Sequence, residues 1–206
     1  MIAVIDYGAG NIFSVKNALD FIGYENRLTD KKEDIENADA IILPGVGAFP
    51  WAMEKLKESG LVDTIKDQSK KKPFLGICLG MQLLFEKSYE FEECSGLGLL
   101  KGKVDRIDEP DLVIPHMGWN KLVYNHDCPL FDGLTDDEYV YFVHSYKAFC
   151  DDKNLYAYCE YGNIVPALVS DGRYIYGAQF HPEKSGKTGL KLLENFAGPV
   201  SYTHLR

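Results

Sequence analysis

The stretch FLGICLG, residues 74–80, sets a single cysteine, Cys78, between two glycines, Gly76 and Gly80. The apolar residues before Cys78 predict a buried strand, and those after it predict a helix over residues 79–87. At a strand-to-helix junction, the pattern G-x-C-x-G is analogous to the serine nucleophile elbow, where small neighbours allow a sharp turn without a Cβ clash. Such an elbow exposes the sulfur and directs a helix N-terminus at it, which favours the nucleophilic thiolate. The alternative interpretation is a buried cysteine beside packing glycines.

The chain on both sides of this stretch alternates apolar strands with amphipathic helices. Strands are predicted at residues 2–5, 40–43, 73–78 and 174–178, and helices at residues 12–22, 48–59, 79–87 and 188–196. Such alternation is typical of a parallel sheet covered by helices on both faces. Beyond about residue 95, segments rich in β-branched and aromatic residues, with a hairpin signal at Asp171-Gly172, predict antiparallel strands. The sequence therefore predicts an α/β, three-layer fold with a mostly parallel central sheet and an additional antiparallel region.

Length and charge restrict the class of protein. A chain of 206 residues can bury a substantial core in one domain, which we assign to residues 1–197. Residues 198–206 follow neither a helical nor a strand period, so we expect an irregular tail, for which a non-native origin is one interpretation. The formal net charge of −9 disfavours a nucleic-acid-binding surface and favours a small-molecule or protein partner.

The five cysteines, at positions 78, 94, 128, 150 and 159, are widely spaced, and no signal peptide or long apolar span accompanies them. Because cytosolic thiols stay reduced, this usage predicts a cytoplasmic protein without structural disulfides. No C-x-x-C pair is present and the histidines lack zinc-finger spacing, so we expect no metal site.

His181 is the best candidate for the general base that a cysteine nucleophile needs. It follows a predicted strand in the segment QFHPE, residues 179–183, which puts it at the carboxyl end of that strand, where α/β sites are found. Glu183 can hold the imidazole in one tautomer and stabilise its charged form. Taken alone, this segment would be better explained as a surface loop with a carboxylate.

Acyl transfer also creates an oxyanion, which requires two positioned hydrogen-bond donors. The backbone N–H of Leu79, directly after the cysteine, is one candidate. The second would come from the turn PGVG, residues 44–47, at the end of the neighbouring strand, where the backbone can approach a ligand closely. A phosphate-binding loop is the alternative, but neither the dinucleotide-binding pattern nor the P-loop pattern is complete.

With these parts in place, the sequence resembles the class I, triad-type glutamine amidotransferases, and most closely the glutaminase subunits of imidazole glycerol phosphate synthase. The resemblance covers residues 2–196, nearly the whole chain. Its matching stretches are DYGAGN (6–11), LPGVGAF (43–49), GICLGMQLLFE (76–86), GLGLLKG (96–102), PHMGWN (115–120), YFVHSY (141–146) and FHPEKSGKTGLKLLENF (180–196). The elbow and His-Pro-Glu are common to the class, whereas DYGAGN, HMGWN and HPEKSG are typical of the histidine-pathway subunit. Pro50-Trp51 and the tail depart from the family's pattern.

The resemblance implies a flavodoxin-like amidotransferase fold and a glutaminase activity that needs no cofactor or metal. It makes Cys78 the nucleophile, His181 the general base and acid, and Glu183 the carboxylate that orients the histidine. The oxyanion donors would be Leu79 and Val46. Further contacts to glutamine are expected from Gly45, Gly47, Gln82, His144, Ser145 and Tyr146, although His144 could equally be a core histidine.

The resemblance also implies a partner. This is a (β/α)8-barrel cyclase subunit, which uses the ammonia to make imidazole glycerol phosphate and AICAR in histidine biosynthesis. The expected docking surface comprises Asn11, His116, Met117, Trp119 and Asn120. Trp119 is the expected anchor, since buried tryptophans often dominate binding energy, and an ordinary core tryptophan is the alternative.

Three other functions stay open at this point. The first is the glutaminase of another amidotransferase, such as anthranilate synthase, against which the DYGAGN and HMGWN segments argue. The second is a cysteine hydrolase acting on peptides or esters, which would accept substrates other than glutamine and need no partner. The third is a catalytically silent regulatory or interaction subunit, against which the joint retention of Cys78, His181 and Glu183 argues.

Overall fold

The computed structural model describes the backbone of residues 1–203 and the side chains of residues 1–198. Within this range the strands are β1 Ile2–Ile5, β2 Asn26–Thr29, β3 Ala40–Gly45, β4 Phe74–Cys78, β5 Phe85–Ser88, β6 Cys94–Ser95, β7 Leu100–Arg106, β8 His116–Lys121, β9 Val123–Tyr124, β10 Tyr139–His144, β11 Tyr146–Phe149, β12 Leu155–Tyr161, β13 Asn163–Ser170 and β14 Ile175–Ala178. The α-helices are α1 Ile12–Phe21, α2 Lys32–Asn37, α3 Phe49–Glu58, α4 Val62–Gln68, α5 Leu79–Gln82 and α6 Gly186–Thr203. None of these described helices combines the length and the apolar character that crossing a membrane requires.

The central sheet has the strand order β2-β1-β3-β4-β14-β13-β12-β9. The strands β2, β1, β3, β4 and β14 are parallel to one another, and β13, β12 and β9 continue the sheet in antiparallel fashion. Two smaller sheets, β10-β8 and β11-β7-β5-β6, are built from the middle of the chain. The predicted mostly parallel sheet with an additional antiparallel region is confirmed.

The side chains of β1 show how the sheet divides the core into two halves. Ile2 and Val4 pack in one cluster together with apolar residues of α1 and α6. Ala3 and Ile5, which point the opposite way, pack in a second cluster with residues of α2, α3 and α4. All four side chains are fully buried. Because successive residues of a strand face opposite sides, a continuous apolar run fits a sheet that helices cover on both faces.

The helix predicted over residues 79–87 is wrong beyond its first turn. The helix α5 is only four residues long, and β5 begins at Phe85 and pairs with β6 and β7. The N–H of Leu97 donates to the carbonyl of Leu83 at 2.8 Å, which draws the chain out of the helix. The local apolar pattern is compatible with both structures, and hydrogen bonds to a distant segment decide between them.

The last helix is longer than its sequence pattern indicated. Because α6 extends from Gly186 to Thr203, the irregular tail predicted from residue 198 is wrong as far as Thr203. Extending an existing helix is far easier than starting one, so a stretch without an apolar period of its own can continue the helix. Residues 204–206 of the predicted tail lie outside the described residues. The domain boundary at residue 197 stays a prediction.

The turn between β4 and α5 depends on glycines at three close contacts. A Cβ on Gly80 would lie 1.9 Å from the carbonyl oxygen of Leu43 in β3, and a Cβ on Gly76 would lie 2.6 Å from the carbonyl oxygen of Gly80. On the adjacent strand β14, a Cβ on Gly177 would lie 2.6 Å from Cγ of Met81. The first turn of α5 therefore packs directly on three neighbouring strands, which explains why glycine occurs on both sides of the cysteine.

We expect Gly80→Ala to lower the free energy of unfolding by about 3 kcal/mol or more, at the upper end of what overpacking costs, because a backbone carbonyl must move. Gly23→Ala is the control, since Gly23 has a φ of +81° but no atom within 4 Å would meet its added Cβ. The control should lose about 1–2 kcal/mol, from the left-handed backbone alone. Chemical denaturation measures both variants, and equal losses would contradict the packing of α5 on β3.

Candidate active site

Cys78 occupies the turn between β4 and α5 in a strained backbone conformation. Its φ of 54° and ψ of −111° lie in a region that residues other than glycine rarely adopt. The side chain is 7% exposed, and Sγ lies 3.9 Å from the carbonyl oxygen of Val143. The side-chain amide of Gln179 donates to Sγ at 3.8 Å. Since α5 is a single turn, its dipole at the sulfur is smaller than that of the longer helix predicted, and nearby side chains become more important for stabilising a thiolate.

His181 and Glu183 form a buried pair in the same site. Nδ1 of His181 lies 2.8 Å from Oε1 of Glu183, and the two side chains are 2% and 1% exposed. Burial by itself would lower the pKa of His181, but the interactions with Cys78 and Glu183 outweigh it and raise that pKa to about 9. Nε2 of His181 makes no hydrogen bond with the described residues. The imidazole therefore holds a proton at neutral pH and has a nitrogen free to exchange protons in the cavity.

Ser185 fixes the backbone of His181, although the sequence pattern did not single it out. Its hydroxyl donates to the carbonyl oxygen of His181 at 2.7 Å and accepts the N–H of Tyr141 at 2.9 Å. The N–H of His181 in turn donates to the carbonyl of Tyr141 at 3.0 Å. These bonds join the end of β14 to β10. A serine just before a helix commonly bonds to local backbone, and that is the signal that could have identified it.

Gln82 and Gln179 connect the cysteine to the opposite wall of the site. Nε2 of Gln82 donates to Oε1 of Gln179 at 2.9 Å and to the carbonyl oxygen of Tyr146 at 3.0 Å. Gln179 is fully buried and was missed by the sequence pattern, although it lies two residues before His181. The amide of Gln82 thus holds protein groups in place, and its predicted contact with glutamine stays a prediction.

The end of β3 lies beside Cys78, as predicted for an oxyanion loop. Gly45 is in register with Cys78, and the residues that follow it, Val46 and Gly47, line the cavity. Gly45 is not one of the lining residues, because it packs against α5, where a Cβ would lie 2.7 Å from the N atom of Gly80. Gly45 thus has a packing role, and its predicted contact with the substrate stays a prediction. The backbone N–H groups of Val46 and its neighbours remain candidates for the second donor.

A cavity of about 380 Å³ opens beside the sulfur of Cys78. This volume is in the range of small-molecule sites in proteins. The residues that line it are Val46, Gly47, Cys78, Leu79, Gln82, Glu90, Pro115, Val143, His144, Ser145, Tyr146 and His181. The structure therefore brings into one cavity all the predicted substrate-binding residues except Gly45.

Glu90 is a carboxylate of this cavity that the sequence did not reveal. It is 8% exposed, and its Oε2 accepts the N–H of Phe49 at 2.7 Å, at the start of α3. Burial raises the pKa of Glu90, and the hydrogen bond from Phe49 opposes that shift. No motif distinguishes Glu90 from the acidic residues at positions 92 and 93, so only the fold identifies it.

The residues predicted to form a docking surface separate into exposed and buried groups along β8. Met117 and Trp119 are 60% and 54% exposed, so the alternative of a core tryptophan is wrong. His116 is only 1% exposed, and its prediction as an interface residue is corrected, because alternate side chains of β8 point into the protein. Asn120 is partly buried and lies 2.6 Å from Nε2 of His116. Asn11, just before α1, is partly exposed.

Comparison with known proteins agrees with this geometry. Residues 3–198 match the family model for class I glutamine amidotransferases. The imidazole glycerol phosphate synthase subunit HisH of Bacillus cereus (strain G9842) is 53% identical over 201 residues, which cover 97% of this chain and 95% of that protein. This chain belongs to the class I glutamine amidotransferase family, among its HisH subunits. The resemblance stated from the motifs is confirmed.

Two further matches support the family and its fold. The HisH subunit of Bacillus mycoides (strain KBAB4) is also 53% identical, over 97% of this chain and 95% of its own length. A crystal structure of a glutamine amidotransferase superposes with a TM-score of 0.75 at 21% identity and covers 98% of this chain and 100% of its own. At that identity the structural match concerns the fold alone, and it confirms the class I amidotransferase architecture.

The remaining cysteines differ from Cys78 in their surroundings. All five cysteines are free thiols. Burial raises the pKa of Cys128 and of Cys150 to about 11 and that of Cys159 to about 12, so these thiols stay protonated at neutral pH. In the part of the chain that the structure describes, no group of three or more His, Cys, Asp or Glu side chains is arranged to hold a metal ion.

We expect Cys78→Gly to be more stable than Cys78→Ala by about 1 kcal/mol. Both variants lose the sulfur, but only glycine is relieved of backbone strain of about 1–3 kcal/mol, against about 0.4–1 kcal/mol of extra entropy in its unfolded chain. Cys159, buried in β12 with an ordinary backbone, provides the control pair, in which the glycine variant should be the less stable one. Denaturation curves of the four variants measure the difference. The same order at both sites would show that Cys78 carries no strain.

Proposed function

We propose that this chain is the glutaminase subunit of an imidazole glycerol phosphate synthase and hydrolyses glutamine to glutamate and ammonia through a thioester on Cys78. The observation that carries the proposal is Cys78 on a strained turn beside the buried His181, which pairs with Glu183 at 2.8 Å. The high identity to HisH subunits favours this synthase over anthranilate synthase or an unrelated cysteine hydrolase.

In the first half of the reaction, Sγ of Cys78 attacks the side-chain amide carbon of glutamine as the thiolate, while His181 holds the proton. The carbon–nitrogen bond then breaks, and Nε2 of His181 protonates the departing nitrogen, which leaves as ammonia. The backbone N–H groups of Leu79 and Val46 are suited to stabilise the oxyanion, since both residues line the cavity beside the sulfur.

In the second half, the neutral imidazole of His181 takes a proton from water, and the water oxygen attacks the thioester carbon. Glutamate and the Cys78 thiolate are released, and the protonated imidazole is restored. Glu183 holds the Nδ1 side of the ring at 2.8 Å, so Nε2 is the nitrogen that exchanges protons. Side chains, backbone groups and water account for every step, so the proposal includes no cofactor and no metal.

Glu90 is proposed to bind the α-ammonium group of glutamine. Its carboxylate is buried in the cavity wall and oriented by the N–H of Phe49, and an ammonium group would offset the unfavourable burial of its charge. The remaining parts of the amino acid would contact the other polar residues that line the cavity, which are Gly47, Gln82, His144, Ser145 and Tyr146. Glu90 is thus the addition that the structure makes to the predicted substrate-binding set.

The proposed partner is a (β/α)8-barrel cyclase subunit in a cytoplasmic heterodimer. Ammonia is mostly protonated, and then not nucleophilic, in neutral water, so a synthase gains by receiving it through a protected passage. Met117 and Trp119 form an exposed apolar patch on β8, and apolar patches of this kind often mark protein interfaces. The ring of Tyr141 lies against Trp119 with centroids 6.1 Å apart, which supports it as an anchor. Asn11 and Asn120 are proposed as polar contacts around this patch.

The three catalytic residues should contribute unequally to glutamate release. Cys78→Ala should abolish it, and His181→Ala should reduce it by about 10²–10⁴-fold, the usual contribution of general acid–base catalysis. Glu183→Gln should lose less, because the imidazole stays in place with a weaker partner. Glutamate release from glutamine measures all three variants.

His126→Ala is the control, because that ring bonds to the backbone of Asp152 and does not line the cavity. A glutamine-like electrophile should alkylate Cys78 and none of the other cysteines. Full turnover by His181→Ala, or labelling of another cysteine, would contradict the assigned roles.

The partner should accelerate the reaction. We expect slow glutamate release from the isolated chain and release faster by orders of magnitude with the cyclase and its nucleotide ligand, as coupling between two sites requires. Trp119→Ala should weaken cyclase binding by about 30-fold, the effect of losing an interface anchor. Trp51→Ala, at a tryptophan that is also exposed but lies in α3, is the control. Equal rates with and without cyclase would refute the partner.

A further inference from the structure

A line of hydrogen bonds runs from β8 to the cavity through two buried histidines that take no part in proton transfer in the mechanism above. Nδ2 of Asn120 lies 2.6 Å from Nε2 of His116, and Nδ1 of His116 lies 2.9 Å from Nε2 of His144. Nδ1 of His144 lies 2.8 Å from the carbonyl oxygen of Tyr146. The two histidines are directly opposite each other in the antiparallel pair of β8 and β10.

The direction of each of these bonds follows from the two ends of the line. The carbonyl of Tyr146 can only accept, so a neutral His144 carries its proton on Nδ1 and accepts at Nε2. His116 must then donate from Nδ1 and accept the amide N–H of Asn120 at Nε2. Burial lowers the pKa of His116 to about 4 and that of His144 to about 3, so both rings are neutral at neutral pH. A single arrangement of protons satisfies every group.

We propose that His116 is a positioning residue for the glutaminase reaction, which holds the ring of His144, and through it the Tyr146 carbonyl, where the glutamine pocket requires them. The proposal rests on the glutaminase function argued above. The segment from Val143 to Tyr146 lines the cavity, and the carbonyl of Tyr146 also accepts a hydrogen bond from Gln82. Two independent donors thus fix one carbonyl at the pocket wall, and His116 sets the orientation of one of them.

The surroundings of His116 make it a rigid link. Its ring stacks between Phe142 and Tyr161, with centroids 4.8 Å and 4.1 Å away and interplanar angles of 23° and 24°. Met117 and Trp119 project from the same strand on the opposite, exposed face. A displacement of β8 by a docked partner would therefore carry His116 with it and reach the pocket through His144.

The test separates the hydrogen bond from the packing of the ring. His116→Phe keeps the stacked ring but removes the donor to His144, and His116→Asn puts an amide donor near the position of Nδ1. Losing a buried hydrogen bond while leaving its partner unsatisfied should raise KM for glutamine about tenfold in His116→Phe. The value of kcat should stay within about twofold, since Cys78 ends β4, His181 follows β14, and the His116 ring makes its hydrogen bonds to Asn120 and His144. His116→Asn should recover most of the KM.

Steady-state glutamate release by the complex with the cyclase measures these constants. His126→Phe, at a histidine outside the cavity, is the matched control and should leave KM unchanged. Nitrogen-15 spectra of the wild-type rings should show neutral His116 and His144, each protonated on Nδ1.

Three results would overturn the proposal. The first is a KM for glutamine in His116→Phe that equals the wild-type value. The second is the same change in kcat and in KM in both His116 variants. The third is a His144 ring in the wild-type protein that carries its proton on Nε2. Absence of glutamate release from the wild-type complex would instead refute the glutaminase function itself, and this role of His116 with it.

Discussion

The contact between Gly80 and the carbonyl oxygen of Leu43 is the constraint on which the rest of the site depends. Only because residue 80 lacks a Cβ can α5 begin directly on β3, and only then does Cys78 adopt its positive φ with the sulfur at the sheet's edge. The same close approach brings Val46 beside the cysteine through the register of β3 and β4. A packing requirement of the backbone and a chemical requirement of the reaction are thus met by one turn.

The histidines around the cavity differ in charge at neutral pH, and the neighbours of each ring cause the difference. His181 faces Glu183 and Cys78, and these partners raise its pKa against the effect of burial. Burial lowers the pKa values of His116 and His144, and the nearby positive charges of His181 and Lys147 lower that of His144 further. Rings of identical chemistry, within one small site, therefore serve proton transfer in one case and fixed hydrogen bonding in the other.

The parts of the site that the sequence predicted are those whose residues lie close together in short, local patterns. Gly76, Cys78 and Gly80 lie within five residues, and His181 and Glu183 lie within three, so strand ends and spacing sufficed to identify them. Glu90 and the pairing of His116 with His144 depend on contacts between segments far apart in the chain, and no local pattern encodes such contacts. The predicted length of the helix over residues 79–87 was wrong for the same reason, since hydrogen bonds to residues near Leu97 determine where α5 ends.

The position of β14 determines when the site can form during synthesis. β14 pairs with β4 in the middle of the sheet, although residues 79–174 separate the two strands in the chain. Closing so long a loop is among the slow steps of folding, and the ribosome delivers His181 about 100 residues after Cys78. A nascent or C-terminally shortened chain therefore carries the Cys78 thiol without the imidazole that activates it. Competence to consume glutamine is acquired only when the sheet is complete, so unfinished chains do not waste it.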